Sequence, residues 1–357
     1  MVTERVLCSG NEAVGWAAIY AGCQNFFGYP ITPQSEIAEF MARELPKRGG
    51  VYLQSAGEAE ASYMLFGGGL TGERVMTATS SPGLALMQEA FSHIAMVDAP
   101  VVAVDVMRLG PGAGTGGQQG QTDYRVVTKG VFGGLNYFII APHSIEEVFE
   151  FVQFAFHIAD KYRILAMVLT DFIIGRMSEF IELKSFDFGP LPEKDWALKG
   201  KAKKNNVSNC HFSGLVFGGI PAFFERQQDK FNKITEFETR HEVYRTEDAD
   251  LLIASYGSLS RISRGAVNMA RAQGLKVGLF RPITLRPFPK SSLLEEASKT
   301  KKVLVVEDSP GEFVDDVEAA VKGRVPVHLL DIKARHIAGP SGLIFPERIL
   351  EEVRSLL

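Results

Sequence analysis

From residue 12 to residue 169 the apolar residues change period repeatedly, from every third or fourth position to short unbroken runs and back. This alternation leaves few folds open. Short apolar runs joined by helical segments build a mainly parallel sheet with helices on both faces. The spacing predicts helices over 12–22, over 58–70, 83–96 and 145–160, and one leading from Ile31–Ser35 through 45. It predicts strands at 25–29, Val51–Gln54, Arg74–Ala78, Pro100–Met107, Tyr137–Ala141 and Ile164–Leu169. Ser144-x-x-Glu147 reads as a capping box opening the last helix. In such a sheet, functional residues gather at the carboxyl ends of the strands.

The rhythm breaks over 186–245, where Pro190, Pro192 and the run Lys199–Lys204 read as a linker with partial structure. It resumes at Ala249 with strands Leu251–Ser255, Lys276–Phe280, Lys302–Glu307 and Val325–Leu330, and with helices 260–273, 291–298 and 313–322. Two doubly wound α/β domains are therefore expected, 1–185 and 246–357, in agreement with 357 residues at roughly 150 per domain. With 46% hydrophobic and 22% charged residues, the chain is no disordered polypeptide. No run approaches the ~18 apolar residues of a membrane span. Met1–Arg5 lacks a basic region followed by an apolar one, so a cytoplasmic protein is expected. A net charge of −4 disfavours a nucleic-acid face. Cys8, Cys23 and Cys210 are too far apart for a disulfide framework or a cluster site.

Gly112-Ala113-Gly114-Thr115-Gly116-Gly117 satisfies G-x-G-x-x-G after a strand. A dinucleotide cradle also needs a helix whose N-terminus faces the pyrophosphate. Gln118–Asp123 has no helical apolar period, so a mobile active-site loop is predicted instead. P-loop, His-Glu-x-x-His and Gly-x-Ser-x-Gly patterns are absent. Three features remain. Glu58 opens an Ala-rich helix after a strand, where an acid also suits the helix dipole, and spacing does not separate it from Glu60. Two prolines restrict the backbone around Thr32 in Tyr29–Pro33, a pattern that also suits a rigid loop with a capping threonine. Arg108 ends a strand, where it can clamp a carboxylate through two parallel hydrogen bonds or simply be solvated. All three are expected at one edge of one sheet.

At these residues the chain resembles a known family. Gly10-Asn11-Glu12-Ala13, Gly28-Tyr29-Pro30-Ile31-Thr32-Pro33-Gln34-Ser35-Glu36-Ile37 and Met76–Leu84 are similar to alpha subunits of 2-oxoacid:ferredoxin oxidoreductases. Tyr256-Gly257-Ser258, Arg281–Pro289 and Val305-Val306-Glu307 resemble their second domain. The resemblance implies a thiamine diphosphate pyrimidine-binding domain followed by a transketolase C-terminal-like domain. It assigns Glu58 the carboxyl that hydrogen-bonds the aminopyrimidine ring, a role Glu60 does not match. It makes Thr32 and Arg108 the holders of the substrate carboxylate and adjoining oxygen, and it puts Pro30 with Thr32, Glu58 and Arg108 around the cofactor.

The chain has neither the Gly-Asp-Gly…Asn motif of thiamine enzymes nor cluster cysteines. The resemblance therefore implies half of a split site, inactive alone. A beta-type subunit would hold the diphosphate, Mg²⁺ and a proximal 4Fe-4S cluster. Gamma- and delta-type subunits would serve coenzyme A and pass electrons on to ferredoxin, and the whole would form a dimer of heterooligomers. No metal ligand is expected on this chain. Leu109–Asp123 holds no Lys or Arg, and Arg108–Gly112 with Gln121–Tyr124 looks like the 2-oxoisovalerate (branched-chain) members, so an uncharged substrate side chain is expected. The partner subunit or Arg125 could supply the missing charge and reverse this in favour of 2-oxoglutarate. A chain contributing assembly surface alone is the reading from another class.

Overall fold

The computed structural model describes residues 4–112, 116–130, 136–200, 218–335 and 342–357. The first region runs β1 (Glu4–Ser9), α1 (Gly10–Tyr20), β2 (Asn25–Gly28), α2 (Ser35–Glu44), β3 (Val51–Gln54), α3 (Glu58–Leu70), β4 (Val75–Thr79), α4 (Pro82–Met96) and β5 (Val101–Met107). It continues with α5 (Tyr124–Lys129), β6 (Phe138–Ile140), α6 (Ile145–Tyr162), β7 (Leu165–Asp171), α7 (Phe172–Arg176) and β8 (Ser178–Leu183). The second runs α8 (Ile220–Glu238), β9 (His241–Tyr244), β10 (Leu251–Ala254), α9 (Gly257–Ala272), β11 (Val277–Pro282) and β12 (Thr284–Arg286). It ends with α10 (Lys290–Ser298), β13 (Lys302–Val306), α11 (Val314–Val321), β14 (Val327–Leu330) and α12 (Pro346–Leu356).

The larger sheet has the order β12-β6-β7-β5-β4-β2-β3, parallel except for β12, and the smaller β14-β13-β10-β11-β9, parallel except for β9. β5 and β7 lie in the middle of the larger sheet with every residue buried, which is why both read as near-continuous apolar runs. One polar exception stands inside β5: Asp105. Expected and observed boundaries differ by a few residues at most, as element ends commonly do.

Three apolar clusters organise the layers. One packs α1, α2 and α6 on one face of the larger sheet, and another packs α9 and α12 on the smaller sheet. The third fills the space between, from Leu65, Leu84 and Met107 across to Tyr256, Phe280 and Phe313. The two regions thus share a core.

β1, α5, α7 and β8 are not among the expected elements, and three further features escape the sequence pattern. α8 spans 19 residues of which Phe223, Ile234 and Glu238 alone are buried, too few for a visible apolar stripe. β12 is three residues long, yet carries the second region into the larger sheet beside β6. Ser144 does cap α6, accepting from the Glu147 N–H at 3.2 Å. The Glu147 carboxylate, however, takes the His143 N–H and pairs with buried Arg281 of the second region. A charge-assisted pair with an arginine outweighs a neutral backbone contact.

Candidate active site at the strand ends of the larger sheet

β3, β2, β4, β5 and β7 run parallel as neighbours, so the segments leaving their carboxyl ends form one rim. Tyr29–Pro33 leaves β2, Ser55–Glu58 leaves β3, Ser80–Gly83 leaves β4 and Arg108 leaves β5. Asp171 closes β7.

Arg108 is 3% exposed and its Nη1 donates to the Thr32 carbonyl at 2.6 Å, so two of the expected residues are joined directly. Its Nε has no hydrogen-bond partner. The proline segment is tethered from behind: Asn11 donates to the Pro33 carbonyl at 2.7 Å and Gln34 to the Tyr29 carbonyl at 2.9 Å. Pro30 and the Thr32 side are left exposed.

Glu58 and Glu60 separate in three dimensions. Glu58 is buried at the first position of α3, whereas Glu60 is exposed. Glu58 lies on Gly83: a Cβ there would sit 2.7 Å from its Cγ and 2.8 Å from its Oε1, and would also strike Thr79 Oγ1. Only glycine lets the turn after β4 approach the carboxyl this closely. Among the described residues, no hydrogen bond to the Glu58 carboxyl is formed. Thr79 Oγ1, which meets Glu58 at Gly83, and Ser80 Oγ, next in the chain, are buried and lack partners. Buried polar atoms are nearly always satisfied, so a cluster of exceptions calls for a ligand or partner group.

Ser81 sits at φ +33°, a strained conformation for a side chain with a Cβ, and its Oγ donates to Asp123 at 2.6 Å. The loop between β5 and α5 is stitched to the second region. Gln121 donates to the Tyr256 carbonyl and accepts from the Asp308 N–H, while its own N–H donates to the Asp308 carbonyl. Gln119 donates to Ser258 Oγ at 3.4 Å, and Arg335, ion-paired with Asp308, donates to the Gln119 carbonyl. Asp171 accepts from the Ser258 N–H beside Gly257, whose φ of +58° favours glycine. Of the G-x-G-x-x-G segment, 113–115 lie outside the described residues, as do Cys210 and all but the first two residues of the lysine run.

A cleft of about 520 Å³ opens beside this loop between the two regions, walled by Leu109, Pro111, Asp123, Pro310, Glu312 and Ile332 among others, with no lysine or arginine among its described lining residues. Arg125 turns away from it to pair with Asp315 at 2.8 Å. Asp105 and Gln119 are not singled out in the sequence, and Gln121 and Asp123 enter there only within the segment 121–124. An aspartate inside the run Val101–Met107 is the signal that could have found the first.

Residues 16–251 match the family profile described as "Pyruvate flavodoxin/ferredoxin oxidoreductase, thiamine diP-bdg". Residues 249–339 match "Pyruvate:ferredoxin oxidoreductase core domain II". The chain belongs to the 2-oxoacid:ferredoxin oxidoreductase family. It is 38% identical over 356 residues to ketoisovalerate oxidoreductase subunit VorB of Methanothermobacter thermautotrophicus, covering 96% of this chain and 99% of that one. It is 37% identical over 352 residues to 2-oxoglutarate synthase subunit KorA of Methanocaldococcus jannaschii, covering 90% and 93%. Among solved structures, the 2-oxoglutarate:ferredoxin oxidoreductase of Magnetococcus marinus superposes with a TM-score of 0.86 at 27% identity. That match takes in 99% of this chain and 65% of the other. A split-gene transketolase, at a TM-score of 0.60 and 14% identity over 97% of each chain, shares the fold.

The first matched region is a thiamine diphosphate-binding domain, and it contains Thr32, Glu58 and Arg108. The rim fits such a group. An unpaired carboxyl, the unpaired Thr79 hydroxyl and a glycine cradle meet at Glu58, a donor and acceptor set suited to an aminopyrimidine. Among the described residues, no cluster of three His, Cys, Asp or Glu is placed to hold a metal ion, and no helix is long and apolar enough to cross a membrane.

Proposed function

We propose that this chain is the alpha-type subunit of a coenzyme A-acylating 2-oxoacid:ferredoxin oxidoreductase and that it takes a 2-oxoacid with an uncharged, branched side chain. The observation carrying this reading is Glu58, a buried residue whose carboxyl is left without a protein partner against Gly83. Thiamine diphosphate, when bound, supplies the nucleophilic carbon and the electron sink. Glu58 holds or moves a proton at its carboxyl toward the pyrimidine ring, and burial strengthens that hydrogen bond by excluding water. Arg108, already fixed on the Thr32 carbonyl, has Nε left to offer a substrate carboxylate, and the exposed Thr32 side chain lies beside it. Pro30 keeps the turn open above them.

The diphosphate, Mg²⁺ and a proximal 4Fe-4S cluster belong, in this reading, to a beta-type subunit. Gamma- and delta-type subunits complete the coenzyme A region and the path to ferredoxin, in a dimer of heterooligomers in the cytoplasm. The branched-chain preference rests on the cleft beside Arg108: apolar walls with Asp123 and Glu312 repel a second carboxylate. The second reading, a 2-oxoglutarate enzyme, is favoured by the likeness to KorA and to the Magnetococcus enzyme. Initial rates of the assembled complex with 2-oxoisovalerate and 2-oxoglutarate decide between them. The first is expected to have the higher kcat/KM by at least about tenfold, the effect of one or two side-chain groups in a pocket. Preference for 2-oxoglutarate overturns the choice.

A further inference from the structure

Asp105 is fully buried in the middle of β5, with no well-formed donor to either carboxylate oxygen among the described residues. The charged group that acts on it most strongly is a second carboxyl, that of Asp123, and the two acids face Ser81 together. Asp123 stands at the N-cap of α5, where an aspartate ordinarily accepts from the helix backbone. Here it makes no such bond and instead accepts from the Ser81 hydroxyl at 2.6 Å, on the side of Asp105. Two ionised carboxylates cannot share a dry site.

We propose that Asp105 and Asp123 share one proton and together act as a positioning pair for the rim, Asp105 donating to Asp123 while Asp123 accepts from Ser81. The proposal rests on the reading of Glu58 and Arg108 given above. Two connections lead from the pair to those residues. Through Ser81 it holds the strained turn that presses Gly83 on Glu58. Through Thr122, which donates to the Arg108 carbonyl at 3.0 Å and accepts from the Gly110 N–H at 2.8 Å, it anchors the loop leaving β5. Asp105 is fully buried and Asp123 also borders the cleft between the regions, so the pair's hold on Glu58 and Arg108 runs through Ser81 and Thr122.

The charges around it favour a retained proton. Burial first, then the charge of Asp123, pushes Asp105 well above the usual carboxylate range, and burial also raises Asp123. Arg108 from the end of β5 and the Ser81 backbone oppose this, whereas Glu312 and Tyr256 of the second region add no positive charge. As pH rises, the shared proton is lost, the two carboxylates repel, and the turn and loop are released. Activity should therefore fall on the alkaline side.

Infrared spectra of the full chain test this without any assay. At pH 7 the wild type should show a protonated-carboxyl band that disappears in Asp105→Asn and is lost from the wild type at alkaline pH. Should Asp105→Asn not fold, Ser81→Ala, which removes a donor to Asp123, should shift the same band. In the assembled enzyme, Asp105→Asn supplies an N–H donor at every pH, so the alkaline fall in kcat should vanish. Asp105→Ala, with no donor, should lose kcat by about tenfold or more, a cost in keeping with misplaced catalytic groups. A wild type with no such band at pH 7, a band that neither Asp105→Asn nor Ser81→Ala alters, or an unchanged alkaline limb in Asp105→Asn overturns the pair. None of these results touches the assignment of Glu58, which fails instead if Glu58→Gln turns over normally.

Discussion

Each of the two regions ends a strand of its sheet near a buried glutamate, and the two glutamates are treated in opposite ways. Glu307, just after β13, is surrounded by donors: Ser309 Oγ and the N–H groups of Glu312, Phe313 and Val314 all point at its carboxylate. It ties the chain entering α11 and is chemically spent. Glu58, just after β3, receives no hydrogen bond from the described residues and instead faces a turn narrowed to glycine. A buried carboxyl with every lone pair satisfied is built for stability. One left unsatisfied at a rim is built to meet something else.

The largest expected effects come from exchanging these two acids for glutamine. In the assembled enzyme, Glu58→Gln should lower kcat by about 10²–10⁴-fold, the range of a lost proton-transfer group. The stability of that variant should stay within about 0.5–1 kcal/mol, since no protein hydrogen bond is broken. Glu307→Gln should do the reverse, costing about 3 kcal/mol or more in denaturant unfolding through weakened charged hydrogen bonds while turnover per folded molecule stays near normal. Melting caused by Glu58→Gln, or unaltered turnover in it, breaks the contrast and leaves the chain a purely structural subunit.

Arg108→Lys sharpens the contrast within the rim itself. Lysine keeps the charge but loses the planar fork, so KM for the 2-oxoacid should rise about 10–100-fold, the equivalent of one or two charge-assisted hydrogen bonds. Initial-rate measurements over substrate concentration check this. A change confined to kcat would move Arg108 out of substrate binding. The smallest effect is expected between the regions: Gln121→Ala removes the side-chain bonds to Tyr256 and Asp308 and should cost about 1–3 kcal/mol of stability. A single cooperative unfolding transition that keeps its shape in this variant would mean the shared apolar core, not the glutamine, joins the two regions.

Much of the fold is legible because β5, β7 and β10 announce themselves as apolar runs and the helices between them keep their period. The rim was legible where chemistry demands unusual local sequence, as in the paired prolines around Thr32 or an acid opening α3. What stayed hidden depends on distant partners. Spacing could not tell Glu58 from Glu60, because burial against Gly83 decides it. Nothing local reveals that Glu147 would leave its capping role for Arg281, that Arg125 would turn to Asp315, or that three residues at 284–286 would complete the larger sheet. Asp105 was visible as an oddity in an apolar strand, but its meaning required Asp123, which lies across a glycine-rich loop.

A structure of the assembled complex with thiamine diphosphate bound tests the central claim most directly. The Glu58 carboxyl should lie within about 3 Å of a pyrimidine ring nitrogen, the distance of a hydrogen bond, with the diphosphate held by another polypeptide. A ring bound elsewhere, or a Glu58 side chain facing bulk water in that particle, would contradict the account.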